Sequence, residues 1–538
     1  MEKRVIIAIV LCVGVLFAWQ KAFPPPAPTP TPPASETAAK APPPSTVPGQ
    51  AAAPAANEPT LPEREVELAT KDVHFVFSSF GGTLKHARLE DPTFQDKAGD
   101  RFSGHDLVTT HDANQAAFRT TFPSASFPAP GGSWQVAQQT ADSVTFVAEN
   151  ADVRVEKRYR AEAARYRLHL DVVVQNKTDR GQDHKLAIAL SGRQDPEKKG
   201  GGFFSGGANN LSSILCFVND KVKREPIEKL GKDPIDESGA VHWIGADEKF
   251  FLLAAAPYPE TPANQRRCQG LSQGDSLGEA VLTFFERSVP ARASTTYSFD
   301  IFAGPKVISD LNQVRPGGVD AQLDKAVDVS LAVLSRPILG LLKFFHGFVH
   351  NWGVAIIVLT LFIKLLTFYP TQKSMLSAKK MQKLAPKMND IRKKYENDKQ
   401  RQSIETMNLY KAHGVSPFGG CLPSLIQMPI WIALYSTLNY AVELYKAPFV
   451  FHIHDLTAKD PYYITPLLMG GVMFLQMRMS PASPDNQQQQ TMQLMMPIMF
   501  TAFSLVLPSG LALYMLTSYL MGIVQQLYVN HVDRKATA

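Results

Sequence analysis

From Gly353 to Tyr528 the sequence holds apolar runs at Gly353–Tyr369, Leu422–Val442, Ile464–Met479, Met492–Leu507 and Leu511–Tyr528. Each is near, or a little short of, the ~20 residues with which a helix crosses a bilayer. Lipid leaves a chain few options, because every backbone N–H and C=O inside it must find its partner within the protein. The runs predict an α-helical transmembrane bundle of five helices, the last two folded into a tight hairpin by Pro508-Ser509-Gly510. Charge then orients it. The stretch from Pro370 to Leu422 carries eleven Lys and Arg against four Asp and Glu, whereas Glu443 to Tyr463 carries two against three. The excess of Lys and Arg predicts that the first loop is cytoplasmic. The loop containing His452–Asp455 then faces outward, and Arg534 and Lys535 near the C-terminus face inward.

A chain of 538 residues is too long for one core. Its mean hydropathy of -0.11 conceals the bundle because a polar N-terminal half averages against it. Lys3 and Arg4 precede an apolar run, Val5–Trp19, and Trp19, Gln20 and Lys21 occupy the place where cleavage would need small residues. Residues 1–21 are therefore expected to be an uncleaved transmembrane signal anchor with a cytoplasmic N-terminus. Residues 22–62, mostly Pro, Ala, Thr and Ser, read as a semi-rigid linker.

Residues 63–310 read as a large all-β sandwich outside the membrane. Period-two alternation marks Val66–Leu68, Val73–Phe77, Val144–Val147, Val153–Val155 and Tyr166–Val174, with Gly, Pro, Asn and Asp turns between them. The Gly-rich stretch Lys199–Asn210 lacks the Lys-Ser/Thr of a phosphate loop and reads as flexible backbone. Asp247–Glu248 invites a glycosidase reading, but scattered carboxylates on strand ends are more often solvated surface. Cys12, Cys216, Cys268 and Cys421 have no zinc spacing, and no metal or cofactor is expected. Cys216 and Cys268 fall where oxidation is permitted, which leaves open whether they pair.

Residues 320–349 mix Ile338, Leu341, Leu342, Phe344, Phe345 and Phe348 with Arg336, Lys343 and His346, the composition of an amphipathic helix lying on the outer surface. Residues 350–538 form the membrane core, with a cytoplasmic helical hairpin at 371–413. There Met381, Leu384, Met388, Ile391 and Tyr395 recur at three and four, predicting one stripe on one helix. A second helix follows Asn397-Asp398, with Ile404 and Met407 facing back. Lys379, Lys380, Lys383, Lys387, Arg392, Lys393 and Lys394 make the hairpin basic, suited to ribosomal RNA or anionic lipid, or simply to fixing topology.

Lys364 stands inside the first apolar run, where an ionisable group costs about 2.5–3.5 kcal/mol on insertion scales. Thr360 lies one turn earlier on the same face, and a groove-lining role competes with snorkelling toward a helix end at Pro370, about 9 Å away. Tyr435 and Asn439, Gln476, and Tyr514, Ser518 and Gln525 add polar side chains at helical spacing, which either share a hydrophilic interior or make ordinary interhelical hydrogen bonds. Fifteen of sixteen methionines follow Tyr369, and such side chains either repack against varied apolar partners or simply fill gaps.

Several motifs resemble the YidC membrane insertases: Asn351-Trp352-Gly353, Lys383-Leu384-Ala385-Pro386-Lys387, Ser416-Pro417-Phe418-Gly419-Gly420-Cys421-Leu422-Pro423, and Leu425-Ile426-Gln427-Met428-Pro429-Ile430. His454-Asp455-Leu456, Asp460-Pro461-Tyr462-Tyr463 and Pro508-Ser509-Gly510 continue the match in order. The resemblance implies a multidomain inner-membrane protein: a five-helix insertase core and an N-terminal anchor, a cytoplasmic hairpin, and a periplasmic all-β sandwich resembling sugar mutarotases. It implies a hydrophilic groove open to cytoplasm and lipid, holding Lys364, Thr360, Tyr514, Met515, Ser518, Gln476, Gln427, Asn439, Tyr435 and Gln525. Nascent membrane proteins are the implied clients, handled alone or with Sec translocon subunits. Ribosome contact would run through the basic loop and tail, and no small-molecule substrate is expected. The family carries arginine where this chain has Lys364, and an aromatic where it has Met515. Positive charge survives that exchange, but the planar bidentate fork does not.

Three other classes remain to be weighed. A transporter using Lys364 would be expected to show repeated halves, and the sequence has no internal repeat. A membrane enzyme built on His452, His454 and Asp455 lacks a second cluster. A glycan-binding module would require residues 63–310 to bind a sugar tightly.

Overall fold

A computed structural model describes residues 62–95, 104–110, 112, 115–123, 132–195, 211–259, 266–274, 276–327, 331–414, 422–479 and 487–537. The expected anchor, the linker up to residue 61 and the Gly-rich loop lie outside these residues.

Alternation dictates the sandwich. In strand Arg167–Asn176 the side chains of Leu168, Leu170, Val172 and Val174 enter the core, while Arg167, Asp171 and Gln175 take the other face. The strand is central in a nine-stranded sheet with the spatial order Lys221–Pro226, Ser213–Val218, Val241–Asp247, Phe251–Pro257, Ser294–Pro305, Arg167–Asn176, Val153–Ala161, Ser143–Glu149 and Gln135–Gln139. A five-stranded sheet packs on it, ordered Ile235–Gly239, Arg266–Ser272, Leu277–Phe284, Ala187–Arg193 and Arg119–Thr121. The neighbouring strands are antiparallel, so one face of each sheet can be apolar and the other polar.

Two devices fix this domain, one polar and one covalent. Lys157 is fully buried and donates to the carbonyls of Gly81, Gly82 and Phe118, using its three N–H groups on two segments. Tyr159 adds a bond to Gly82 O. Gly82 has φ +53°, and a Cβ there would sit 3.0 Å from Phe146 Cβ, so this turn needs glycine. Together they tie the turn between Val73–Ser78 and Thr83–Leu89, and with it the small sheet of Glu65–Ala69, Val73–Ser78 and Thr83–Leu89, to the large one. The second device is covalent. Cys216 on the large sheet and Cys268 on the five-stranded sheet form a disulfide, both wholly buried, which decides the pairing left open above.

Asp247 is no solvated carboxylate. It is 3% exposed and bonded to Lys306 and Arg224, while Glu248 pairs with His105 at 2.9 Å. A buried carboxylate is tolerable here because two cations neutralise it.

The helical half begins with α1 (Ala332–Val349) and α2 (Trp352–Lys383). Helix α1 buries Ile338 and Leu342 against α2 and the later helix α5, and leaves Val333, Phe344 and Phe348 exposed. Helix α2 does not stop at Pro370. It runs 32 residues through it, so the helix end used to gauge the depth of Lys364 is not at that proline. One missing N–H and one crowded carbonyl are outweighed by uninterrupted turns on either side. The break comes at Leu384, where Pro386 stands in the first turn of α3 (Ala385–Lys394). The predicted hairpin stripe is therefore divided, with Met381 on α2 and Met388 and Ile391 on α3. Asp398 caps α4 (Lys399–Ala412) by accepting from Arg401 N. Ile404 and Met407 do not face back: they are 53% and 43% exposed, and Tyr410, bonded to Met388 Sδ, makes the contact with α3 instead.

The remaining helices are α5 (Leu422–Tyr440), α6 (Ile464–Met479), α7 (Gln487–Ser504) and α8 (Ser509–Thr537). Helix α7 begins earlier than the apolar run because glutamines extend a helix readily, and α8 starts at Ser509 and continues beyond the apolar run. Among the described residues only α2 is by itself long and apolar enough to cross a membrane, and α6 and part of α7 are shorter apolar helices.

The sandwich is seated on the bundle. Directly after α5, Val442 joins the β core, and the Tyr445 ring packs 5.8, 5.3 and 5.4 Å from those of Phe94, Phe250 and Phe251. Lys446 donates to Gln95 O at 3.3 Å.

Replacing both Cys216 and Cys268 with alanine is expected to lower unfolding stability by about 4 kcal/mol, given their separation of 52 residues. Urea titrations of the full chain with and without reductant check this. Superimposable curves would refute a stabilising bridge.

Candidate functional site

Lys364 is half-buried on α2, between Ile363 in the core and Leu365 and Leu366, which are 74% and 66% exposed. No carboxylate or hydrogen-bond partner reaches its ammonium among the described residues. An uncompensated cation on an apolar helix is costly, and this one stands beside side chains that face outward.

The other candidates divide into groups. Thr360 is buried and donates to Ile356 O at 2.7 Å, and Thr367 does the same to Ile363 O at 2.9 Å. Their hydroxyls are used on their own helix, so the polar strip expected from Thr360 to Lys364 reduces to the lysine. Gln427 on α5 donates to the Tyr514 hydroxyl on α8, and Met515 and Ser518 are buried beside it. Gln525 on α8 donates to Phe368 O on α2 at 3.1 Å, tying those helices one turn below Lys364. Gln476 on α6 lies against Gly522, where a Cβ would come within 2.2 Å of its Nε2. These are interhelical ties, and none reaches Lys364.

Tyr435 stacks on Trp431 with ring centroids 5.8 Å apart, and Asn439 follows one turn later, 5% exposed. Trp431 Nε1 and Asn439 Nδ2 are buried without a hydrogen-bond partner. Trp431 escaped the sequence reading because an indole in an apolar run looks like filling. The signal was its spacing of four from both Gln427 and Tyr435.

On the hairpin, Lys380, Lys383, Lys387, Arg392, Lys393 and Lys394 are exposed and Lys379 is half-buried, a solvated basic face. In the loop between α5 and α6 His452 pairs with Asp460 at 3.2 Å, and Asp460 accepts from Thr465 N at 2.8 Å near the start of α6. These residues build a turn.

One trio, Glu162, His169 and Asp300, has metal-ligand spacing. Arg167 already fills the cation position, 2.7 Å from Glu162 and 3.0 Å from Asp300. Hydrogen bonds that His169 donates to Asp171 and then Asp300 raise it to about 9, so it is a second cation there at neutral pH.

With this geometry established, the chain was compared with known proteins. Residues 65–341 match the model for the YidC periplasmic domain, and residues 344–536 match that for the 60Kd inner membrane protein. A membrane protein insertase YidC from Syntrophus aciditrophicus is 34% identical, covering 98% of this chain and 99% of its own. The chain belongs to the YidC membrane protein insertase family. A second relative so named, from Anaeromyxobacter dehalogenans, is 35% identical over 99% of this chain and 98% of its own. A YidC insertase crystal structure with its first transmembrane domain resolved is similar over 86% of this chain and 91% of its own, at TM-score 0.38 and 16% identity. A galactose mutarotase-like protein from Lactobacillus casei aligns over 45% of this chain at TM-score 0.34 and 9% identity. Membership of the YidC family makes the chain an inner-membrane protein with a periplasmic β domain, an insertase and not an enzyme, and lends nothing to the transporter reading.

Because His169 is raised from 6.5 in the unfolded chain to about 9, its stabilisation is complete below about pH 6.5 and lost as pH rises through about 9. The stability gap between wild type and His169→Gln, from urea denaturation of the full chain, is expected to be widest near about pH 6 and to close by about pH 10. A gap constant with pH would show that shape, not charge, matters at this position.

Proposed function

We propose that this chain moves hydrophobic segments of nascent membrane proteins from the cytoplasm into lipid along a groove whose charged landmark is Lys364. The observation that carries the reading is that cation: among the described residues it has no counter-charge, yet it stands beside Leu365 and Leu366, which are exposed for contact with lipid. An uncompensated ammonium binds acceptors, either water drawn in from the cytoplasmic side or the polar flank of an incoming segment. Each lowers the cost of stripping that flank of solvent. The apolar part then slides along outward-facing Leu467, Leu468, Leu494, Met495, Ile498 and Met499 on α6 and α7. Thioethers without branches repack against varied clients.

The orientation that serves this function has both termini and the hairpin in the cytoplasm and five crossings in the core. Two arguments support it. The 370–422 loop is basic, and a buried disulfide belongs to an oxidising compartment, which places the β domain outside. The exposed lysines of α3 offer a contact for ribosomal RNA, with Sec translocon subunits as further partners in the membrane.

Purified full-length chain in liposomes is expected to insert a small single-span client above the level of protein-free liposomes. Lys364→Arg should retain activity, and Lys364→Glu should lose more than Lys364→Gln. Protease protection of the client reads the outcome. Equal loss in the Arg and Glu variants would defeat the role given to charge.

A further inference from the structure

Gln427, Trp431, Tyr435 and Asn439 succeed one another every four residues along α5. Each step rises about 6 Å and turns about 40°, so the four form one slowly winding ridge about 18 Å long. The first is occupied, since Gln427 donates to Tyr514. Beyond it the buried N–H of Trp431 and the buried NH2 of Asn439 have no partner at full hydrogen-bonding distance, and the Tyr435 side chain, which the Asn439 amide faces, lies between them. These are the only buried orphan side-chain atoms in the described bundle, and both are donors. Each such group costs about 1–3 kcal/mol, and a cost kept at two positions of one ridge points to a ligand.

We propose that the Trp431–Tyr435–Asn439 ridge is a hydrogen-bond donor ladder that receives backbone carbonyl oxygens of a client segment in transit. This rests on the insertase reading and names what that site recognises. A ridge of donors, near a bundle whose unpaired ion is a cation, selects acceptors and rejects N–H groups. Carbonyls are the acceptors that every client shares, whatever its side chains. A segment leaving water before its helix is complete carries carbonyls that lipid cannot satisfy, and a finished helix still has four at its C-terminal end. Rungs about 6 Å apart also approximate the two-residue repeat of an extended strand, about 6.6 Å, along which alternate carbonyls point the same way. Phe503 of α7, its ring 6.4 Å from that of Trp431, packs against the ridge at that rung. Helix α7 packs chiefly on α6 and ends at Ser504, so it is the element that must yield for a client to reach the donors.

The test uses the full chain in nanodiscs and a single-span Leu/Ala peptide as client. Ultraviolet resonance Raman difference spectra, wild type minus Trp431→Phe, isolate the Trp431 indole N–H. The band is expected to move from unbonded to hydrogen-bonded when client is added, and photo-crosslinking verifies capture in the same samples. Trp431→Phe keeps the ring stack and removes only the donor. It and Asn439→Leu are each expected to slow insertion roughly threefold to tenfold, the worth of one hydrogen bond. Amide-to-ester replacement in the client backbone, which weakens its carbonyls as acceptors, should slow wild type and affect the Trp431→Phe chain less. An indole band already bonded before client arrives, or unmoved while crosslinking reports capture, would overturn the ladder and leave the insertase reading intact. No capture and no insertion would overturn that reading itself.

Discussion

Hydrocarbon offers a polypeptide no hydrogen bonds, and the bundle is arranged around that lack. Thr360 and Thr367 turn their hydroxyls onto carbonyls of their own helix. Gln427 and Gln525 reach across to Tyr514 and to Phe368 O, so α8 is held to both α5 and α2 by polar ties that lipid cannot compete for. Against this background of satisfied groups, the exceptions among the described residues are few and alike in kind: an ammonium on α2 and two donors on α5. A membrane protein that only had to be stable would have replaced them with leucine or phenylalanine.

The β domain obeys the same rule in water with different means. Lys157 is enclosed without an acid but with three carbonyls, and Asp247 is enclosed with two cations. Arg167 and His169 share the acids Asp171, Asp300 and Glu162. Breaking any one would leave a buried group unsatisfied, so these contacts resist change although the intact pairs add little net stability. The disulfide joins the sheets where the core is already dry.

The sequence carried the architecture well where periodicity was uniform. The alternation in Tyr166–Val174 and the apolar runs after Gly353 name their elements directly. Helix ends were less legible. Pro370 reads as a stop and is not one, because a single lost hydrogen bond is minor beside a helix continuing on both sides, and Leu384 breaks the helix with only Pro386 to announce it. The candidate site was legible as a set of residue types and not as a set of contacts. Spacing marks Thr360 as a neighbour of Lys364, but spacing cannot say that its proton is spent on Ile356. Trp431 was invisible because its chemistry depends on what fails to meet it.

Tyr445 is wedged among three phenylalanine rings, five residues beyond the end of α5, and Lys446 is bonded to the same domain. The end of α5 that meets the β domain therefore has a fulcrum: a folded mass, residues 65–341, that must turn if that end is to move. Any movement of α5 at this end is therefore coupled to the β domain, through an aromatic cluster and one hydrogen bond.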